Sequence, residues 1–489
     1  MDGTMRAETD PSGSGAHPDE WFASAKKIYP MAVHGTFRKI KWAVLFATLG
    51  IYYFLPFVRW DRGPNAPDQA VLVDMAGRRA YFFFIEIWPQ EVYYLTGLLI
   101  LAAMALFLMN AVAGRVWCGY LCPQTVWTDL FQHIDRLFDG DRNARHRLDK
   151  APWTFGKILR RASKWTVYLF IGLITGGAWI LYFADAPTLL RDFFAGEAAP
   201  VAYGTVAVLT LTTVTLGGFM REQVCIYMCP WPRIQTAMLD EKSLLVTYKD
   251  WRGEPRGSLK KAEKNPGQFG DCIDCNQCVA VCPTGIDIRE GPQIGCITCA
   301  LCIDACDRAM AETGRPRGLI DYATLEDAEQ EKAGQPPTRH LKLIWRPRTI
   351  LYFTVWSGIG LAMLFLLGTR VHTDLTVAKD RNPPYILMSD GSVRNAYTLR
   401  LRNMEGRPRQ MEIGIEGIPG AVMWSEDMGR DQASRSLTRM VPADETQGVR
   451  IYVVAPADSV EPEFTFTLQA EGDARESDEA EVRFDSPEG

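Results

Sequence analysis

Between Cys272 and Cys306 the chain reads CIDCNQCVAVCP and, a little later, CITCALCIDAC. Each run places three cysteines at C-x2-C-x2-C spacing and a fourth after three more residues. Three thiolates within seven residues can wrap one corner of an iron–sulfur cube, while the fourth, remote one ligates the neighbouring cluster. The spacing therefore predicts one [4Fe–4S] cluster on Cys272, Cys275, Cys278 and Cys306, and a second on Cys296, Cys299, Cys302 and Cys282. Structural zinc sites draw on separated cysteine pairs, and the doubled three-plus-one spacing argues against them. Asp307 follows Cys306, where Pro283 follows Cys282. That proline shapes a turn and supplies no ligand, so the cluster survives its loss. The added negative charge is expected to lower that cluster's reduction potential.

The remaining four cysteines form two pairs. RVWCGYLCPQTVW holds Cys118 and Cys122, and REQVCIYMCPWPRIQ holds Cys225 and Cys229, with Pro123 and Pro230 behind them. In a helix the members of each pair are i and i+4, on one face. Pro123 suits the first position of a new helix, which makes Cys122 its N-cap. A helix N-terminus, with Arg115 and Arg221 nearby, favours thiolate. Thiolates suit a soft ion such as Cu(I), and they are redox-active. Three chemistries compete: a copper site, a dithiol/disulfide couple, or ligation of another metal centre. The plainer alternative is a set of membrane cysteines acting as small hydrophobes; the repetition of the pair favours function. Other candidates carry less. His133 reads as an interfacial histidine, and Met228 as core packing rather than a thioether ligand. Glu86 lies in an interfacial aromatic run, with a quinone-site acid as the alternative. His340 and His372 flank an apolar span without a chemical role.

These cysteines must be positioned by membrane helices. Five apolar stretches, near 42–59, 92–113, 164–184, 199–220 and 349–368, approach the roughly 20 residues that cross a bilayer. A polar, acidic leader precedes the first, with no small-residue cleavage site after it, so it does not read as a signal peptide. Lys26, Lys27, Arg38, Lys39 and Lys41 precede the first span, and nine Lys/Arg fill 114–163, against three in 61–91 and one in 185–198. Lys342, Arg346 and Arg348 precede the last span. The positive-inside rule then places the N-terminus, 114–163 and 221–348 in the cytoplasm and the tail outside. Both pairs follow spans running inward, so they should share one membrane face and come together in space.

The expected architecture is a five-span α-helical membrane protein with an inserted two-cluster ferredoxin domain and a C-terminal all-β sandwich. Its parts are a cytoplasmic segment 1–41, a four-helix membrane core 42–220, and a cytoplasmic segment 221–348 with the ferredoxin domain at about 265–312. A fifth span over 349–368 and an outer domain over 371–489 complete it. In that tail Tyr397, Leu399 and Leu401 alternate with polar residues, as do Phe464, Phe466 and Leu468, which suggests an immunoglobulin-type sandwich. The 489 residues carry a net charge of −5, which argues against nucleic acid as a partner. All 12 cysteines fall between 118 and 306, unlike a disulfide-stapled secreted protein. No glycine-rich nucleotide motif follows a strand, so direct NADH binding is not expected.

With HGTFRKIKW, RWDRGPNAPDQAVL, both C-x3-C-P pairs, GDCIDCNQCVAVCPTGIDIR and the β-rich tail in hand, the chain resembles the oxidase accessory family called CcoG or FixG. The resemblance covers nearly the whole length. It implies a bacterial inner-membrane protein with two [4Fe–4S] clusters and an immunoglobulin-like periplasmic domain. It also implies reduction of Cu(II) to Cu(I) for a cbb3-type oxidase, with the assembly machinery and copper-handling proteins as partners. Copper is then substrate or ligand at Cys118, Cys122, Cys225 and Cys229, and the electron donor is a quinol or a cytoplasmic reductant. Similar polyferredoxins carry electrons from quinol, which leaves a quinol-linked carrier as one alternative and a non-enzymatic assembly scaffold as another.

Overall fold

The computed structural model of the chain describes residues 27–64, 66–265, 267–336, 345–456, 463–473 and 475–486. Lys26 and the rest of the leader, His340 and Lys342 lie outside the described residues. The chain divides into two compact units. One comprises 1–45, 110–170 and 214–339; the other comprises 46–109, 171–213 and 340–489.

Among the described residues, four helices are long and apolar enough to cross a membrane: Thr36–Phe57, Pro89–Ala113, Pro200–Met220 and Pro347–Thr369. Their apolar side chains, Phe46, Leu99, Leu211 and Leu364 among them, are exposed. A helix satisfies its own backbone, so such a surface can face hydrocarbon. The stretch expected as the third span lies within the helix Phe155–Ile180. That helix starts earlier than the apolar pattern, and Lys157, Arg160, Arg161 and Lys164 occupy its first turns. Its apolar part is correspondingly short.

All twelve cysteines belong to the first unit. Its iron–sulfur segment is framed by an antiparallel pair, β4 (Leu245–Tyr248) against β5 (Ile320–Ala323), and by the helices Gln277–Val281 and Leu301–Glu312. The two cysteine runs fold as copies. Asp274 and Asn276 flank Cys275 with positive φ, and Thr298 and Ala300 do the same around Cys299. Left-handed residues on both sides of the middle cysteine curl the loop tightly enough for three sulfurs to face one point. Asp and Asn tolerate that conformation, whereas Thr and Ala do so at a cost. Asp304 accepts from the backbone N–H groups of Phe37 (3.2 Å) and Arg38 (2.8 Å), capping the first long helix. Arg38 in turn donates to the buried Asp129 at 2.8 Å.

The second unit holds two β parts. A three-stranded antiparallel sheet is built from β1 (Val71–Asp74), β2 (Arg79–Phe82) and β3 (Ile85–Ile87). Glu86 lies on β3, partnered by Arg79 at 3.1 Å. The tail forms a sandwich. One sheet has the order β10 (Val422–Ser425), β12 (Thr446–Ala455), β8 (Val393–Asn403), β6 (Thr373–Lys379), with β7 (Ile386–Leu387) beside β8. The other has the order β11 (Ser436–Val441), β9 (Arg409–Glu416), β13 (Glu463–Ala470), β14 (Ser477–Arg483). Tyr397, Leu399 and Leu401 from one sheet and Phe464, Phe466 and Leu468 from the other are buried in a shared core. Period-two alternation with one apolar face per sheet produces that burial.

Candidate functional site

The eight ferredoxin-type cysteines surround two separate cavities. Cys272, Cys275, Cys278 and Cys306 line one, together with Tyr248, Arg289 and Met310. Cys282, Cys296, Cys299 and Cys302 line the other, with Cys278 at its edge and Ile286, Ile288 and Ile297 as apolar walls. The helix Leu301–Glu312 carries both Cys302 and Cys306, so one rigid element serves both cavities. Four sulfurs around each space, with apolar walls, is the donor set that a [4Fe–4S] cluster requires. Asp307 accepts from the Gly318 N–H at 2.9 Å, tying the segment before β5 to the helix beside Cys306 without a proline.

The two thiol pairs sit in a local structure that helical spacing did not foresee. Cys122 N–H donates to Trp117 O (2.9 Å) and Cys229 N–H to Val224 O (2.8 Å), both i→i+5 contacts. Each pair therefore lies in a widened π turn instead of an α-helix, and such turns recur at functional sites. Cys122 is the N-cap of the helix Pro123–Asp139, with Pro123 at its first position. The offset of 107 residues that overlays the cysteines also overlays Gly114 on Arg221, and both have positive φ. A side chain at Gly114 would collide with the carbonyl of Leu244.

Crossed hydrogen bonds draw the pairs together. Cys118 Sγ donates to Gln235 Oε1 (3.1 Å), and Gln235 lies on the helix Trp231–Met238 behind the second pair. Gln124, behind the first pair, donates through Nε2 to Leu216 O (2.8 Å) and Arg221 O (3.1 Å) in the turns before the second. Burial pushes the Cys118 thiol up to about 12, and Cys122, Cys225 and Cys229 each add to the rise. Burial likewise pushes Cys225 up to about 11. At these two positions burial works against the thiolate, because lost hydration outweighs the nearby cation. A soft metal would have to displace protons there.

The first pair is also docked on the second cavity. The Tyr120 hydroxyl donates to Cys299 O at 3.0 Å. A Cβ at Gly119 would meet Ile297 O at 2.7 Å and the Cys299 Cα at 3.1 Å, so only glycine permits this approach. Arg115, 3 % exposed, donates to Ile294 O at 2.7 Å and shares a cavity with Cys296. Gly119, Tyr120, Gln124 and Gln235 were not singled out from the sequence. Laying the two copies side by side would have flagged Gly119 against Ile226.

Two expectations change here. Arg221 does not mirror Arg115: it donates to Gly218 O (2.7 Å) and pairs with the buried Asp135 at 2.6 Å. Met228 is 56 % exposed, so it does not pack in a core. His372 has a structural place: its Nδ1 lies 3.0 Å from Glu476, and Arg409 reaches both Glu405 (3.2 Å) and Glu476 (3.8 Å) in the sandwich. His133 meets Trp42 edge-on at 4.9 Å.

Profiles of known families match three stretches. A "4Fe-4S dicluster domain" covers 220–325, a "4Fe-4S binding domain" covers 95–140, and an "IG-like fold at C-terminal of FixG" covers 363–487. The chain is 49% identical to the nitrogen fixation protein FixG of Rhizobium meliloti (strain 1021), over 95% of this chain and 94% of that protein. It is 53% identical to protein RdxB of Cereibacter sphaeroides, over 89% and 90% respectively. A crystal structure of a FixG-related protein from Vibrio parahaemolyticus aligns with 24% of this chain and 99% of its own, at 18% identity and a TM-score of 0.20.

Proposed function

The chain belongs to the FixG (CcoG) family, and from that membership we propose that it is a cupric reductase of the bacterial inner membrane, serving assembly of a cbb3-type oxidase. Its coarser role is iron–sulfur electron transfer. In the proposed reading Cys272, Cys275, Cys278 and Cys306 hold one [4Fe–4S] cluster, and Cys296, Cys299, Cys302 and Cys282 hold a second. These clusters supply one-electron reducing power. Cys118, Cys122, Cys225 and Cys229 bind copper as substrate, and soft sulfur ligands favour the Cu(I) product over Cu(II). Gln124 and Gln235 hold the pairs against each other. Gly119 and Tyr120 keep the first pair against the Cys299 loop, which makes the electron's path short.

The observation that carries this reading is that docking: a redox-active thiol group seated on a cluster loop, at a site too tight for any side chain at 119. The topology belongs to the same proposal. Five spans put the N-terminus, 114–163 and 221–348 in the cytoplasm and the sandwich in the periplasm, as the Lys/Arg asymmetry favours. Reporters fused near 150 and 260 should then read as cytoplasmic, and those after 380 as periplasmic.

A second reading has one observation in its favour. The "4Fe-4S binding domain" match over 95–140 includes Cys118 and Cys122, so the four thiols could ligate a further iron–sulfur centre instead of copper. One experiment separates the two. Anaerobic protein is titrated with copper and followed by EPR, in the native chain and in a Cys118/Cys122/Cys225/Cys229→Ser variant. Copper reduction should vanish in the variant while iron stays at about eight per chain, the content of two cubes. Loss of iron with the four thiols would select the second reading, and unchanged copper reduction would overturn the first.

A further inference from the structure

Arg115 is a buried cation that no acid answers among the described residues. Its Nη1 donates to Ile294 O at 2.7 Å, but Nε and Nη2 are buried without a hydrogen-bond partner among the described residues. A buried guanidinium left this way is costly unless negative charge faces it. The cavity it lines holds the sulfur of Cys296. Its own carbonyl accepts from Cys118 N–H at 3.1 Å, and its side chain reaches the loop two residues before Cys296, whose cavity it lines. Burial draws its pKa down, and Cys118, Cys296, Cys225 and Cys229 are the groups that draw it back up. Those thiols come from both pairs and from the second cluster's ligand set. At the equivalent position of the second copy stands Glu222, and the other nearby arginine, Arg221, is committed to Asp135. Among these residues Arg115 is the one whose side chain is bonded to the Cys296 loop while its backbone opens the turn that carries Cys118.

We infer that Arg115 is a counter-cation shared by the four-thiol site and the Cys282/Cys296/Cys299/Cys302 cluster, a positioning residue that holds both potentials high enough for an electron to enter and cross. The inference rests on the reading above for the occupants of the two sites. The step it serves is simple in its balance: Cu(II) gains one electron and becomes Cu(I), and the cluster is oxidised by one electron. Arg115 makes and breaks no bond and moves no proton. A fixed positive charge in a low-dielectric site favours the more negative, reduced state on each side of it. Its Ile294 contact also holds the cluster loop against the turn that carries Cys118.

The test is a redox titration of anaerobic protein followed by EPR, without copper. In Arg115→Gln the second cluster's midpoint should move negative, enough to cut its reduced fraction about tenfold at a fixed potential, about 59 mV for a one-electron couple. The cluster on Cys272, Cys275, Cys278 and Cys306 should not move. Arg115→Lys keeps the charge and should restore most of the shift. Should Arg115→Gln lose iron, Arg115→Lys decides alone: a midpoint close to native supports the counter-cation, and a tenfold loss of reduced fraction overturns it. Equal midpoints in iron-replete native and Arg115→Gln protein overturn it as well. Because no copper is present, failure of the native chain to reduce copper would sink the cupric reading without touching these potentials.

Discussion

The two thiol motifs share a backbone and differ in everything that backbone touches. Each begins with a left-handed residue, closes a π turn on its second cysteine, and continues into a helix through proline. In the first copy the left-handed residue is Gly114, which takes that conformation freely. In the second it is Arg221, held by its bonds to Gly218 O, Asp135 and the Tyr168 hydroxyl. Gly119 and Tyr120 press the first copy onto the Cys299 loop, whereas the equivalent Ile226 and Tyr227 do not, and Tyr227 is 71 % exposed. Duplication preserved the turn that presents two sulfurs. Divergence docked the first copy on the Cys299 loop through Gly119 and Tyr120, and left Tyr227 of the second exposed.

That contrast can be broken most severely at the sulfurs. If the pairs act as one unit, replacing Cys118 and Cys122 with serine should lower copper-dependent activity about a hundredfold, nearly as far as replacing all four. Stopped-flow reduction assays on both variants measure this, and half the loss from each pair would show two independent sites.

Asp135→Asn strikes the support of the second copy. Asp135 is fully buried and answers Arg145 (2.6 Å), Lys164 (3.2 Å) and Arg221 (2.6 Å). Removing its charge leaves Arg145 and Arg221 without their carboxylate, while Lys164 keeps Asp139, at a cost of about 3–5 kcal/mol, read by thermal unfolding in detergent. Burial works against its ionisation, but Arg221, Arg145 and Lys164 outweigh it and hold the carboxyl below its usual range. A depressed folded pKa contributes stability above the unfolded value, so this part should be lost as pH falls below about 4. The Asn variant should lack that acid sensitivity.

Gly119→Ala should cost about 1–3 kcal/mol through overpacking and should loosen the second cluster. Ile226→Ala at the matched position should stay within about 1 kcal/mol and keep its iron. Iron content and unfolding of the two variants decide whether the docking is confined to the first copy. Tyr120→Phe removes one buried hydrogen bond and should cost about 1 kcal/mol, while Tyr227→Phe should be silent within error. Matched losses from both tyrosines would show that the second copy has a partner too.

Much of this was legible from residue type and spacing. The cysteine runs, the sandwich faces on Tyr397 and Phe464, and the prolines that open helices all follow from local periodicity. Four of the expected spans coincide with long apolar helices, since composition alone selects them. The third span differs because its apolar run is flanked by Lys157, Arg160, Arg161 and Lys164, which join the same helix. The π turns were not legible, because a cysteine pair four apart fits an α turn equally well. Nor was the fate of the arginines: Arg115 and Arg221 look alike in sequence, and only their neighbours tell them apart.

The sequence by itself determined which atoms are available for chemistry: twelve thiols in a ferredoxin pattern and two repeated pairs, in a chain whose long apolar helices suit a bilayer. Those features are local, and local spacing is enough to specify them. The tertiary structure decided which of those thiols meet, which are stripped of water, and which charge stands beside them. Gln235 meets Cys118 across 117 residues of chain, and Gly119 meets Cys299 across 180 (299 − 119). Long-range contacts of that kind depend on how helices pack, and packing depends on the whole apolar surface at once, so no short stretch of sequence carries the information.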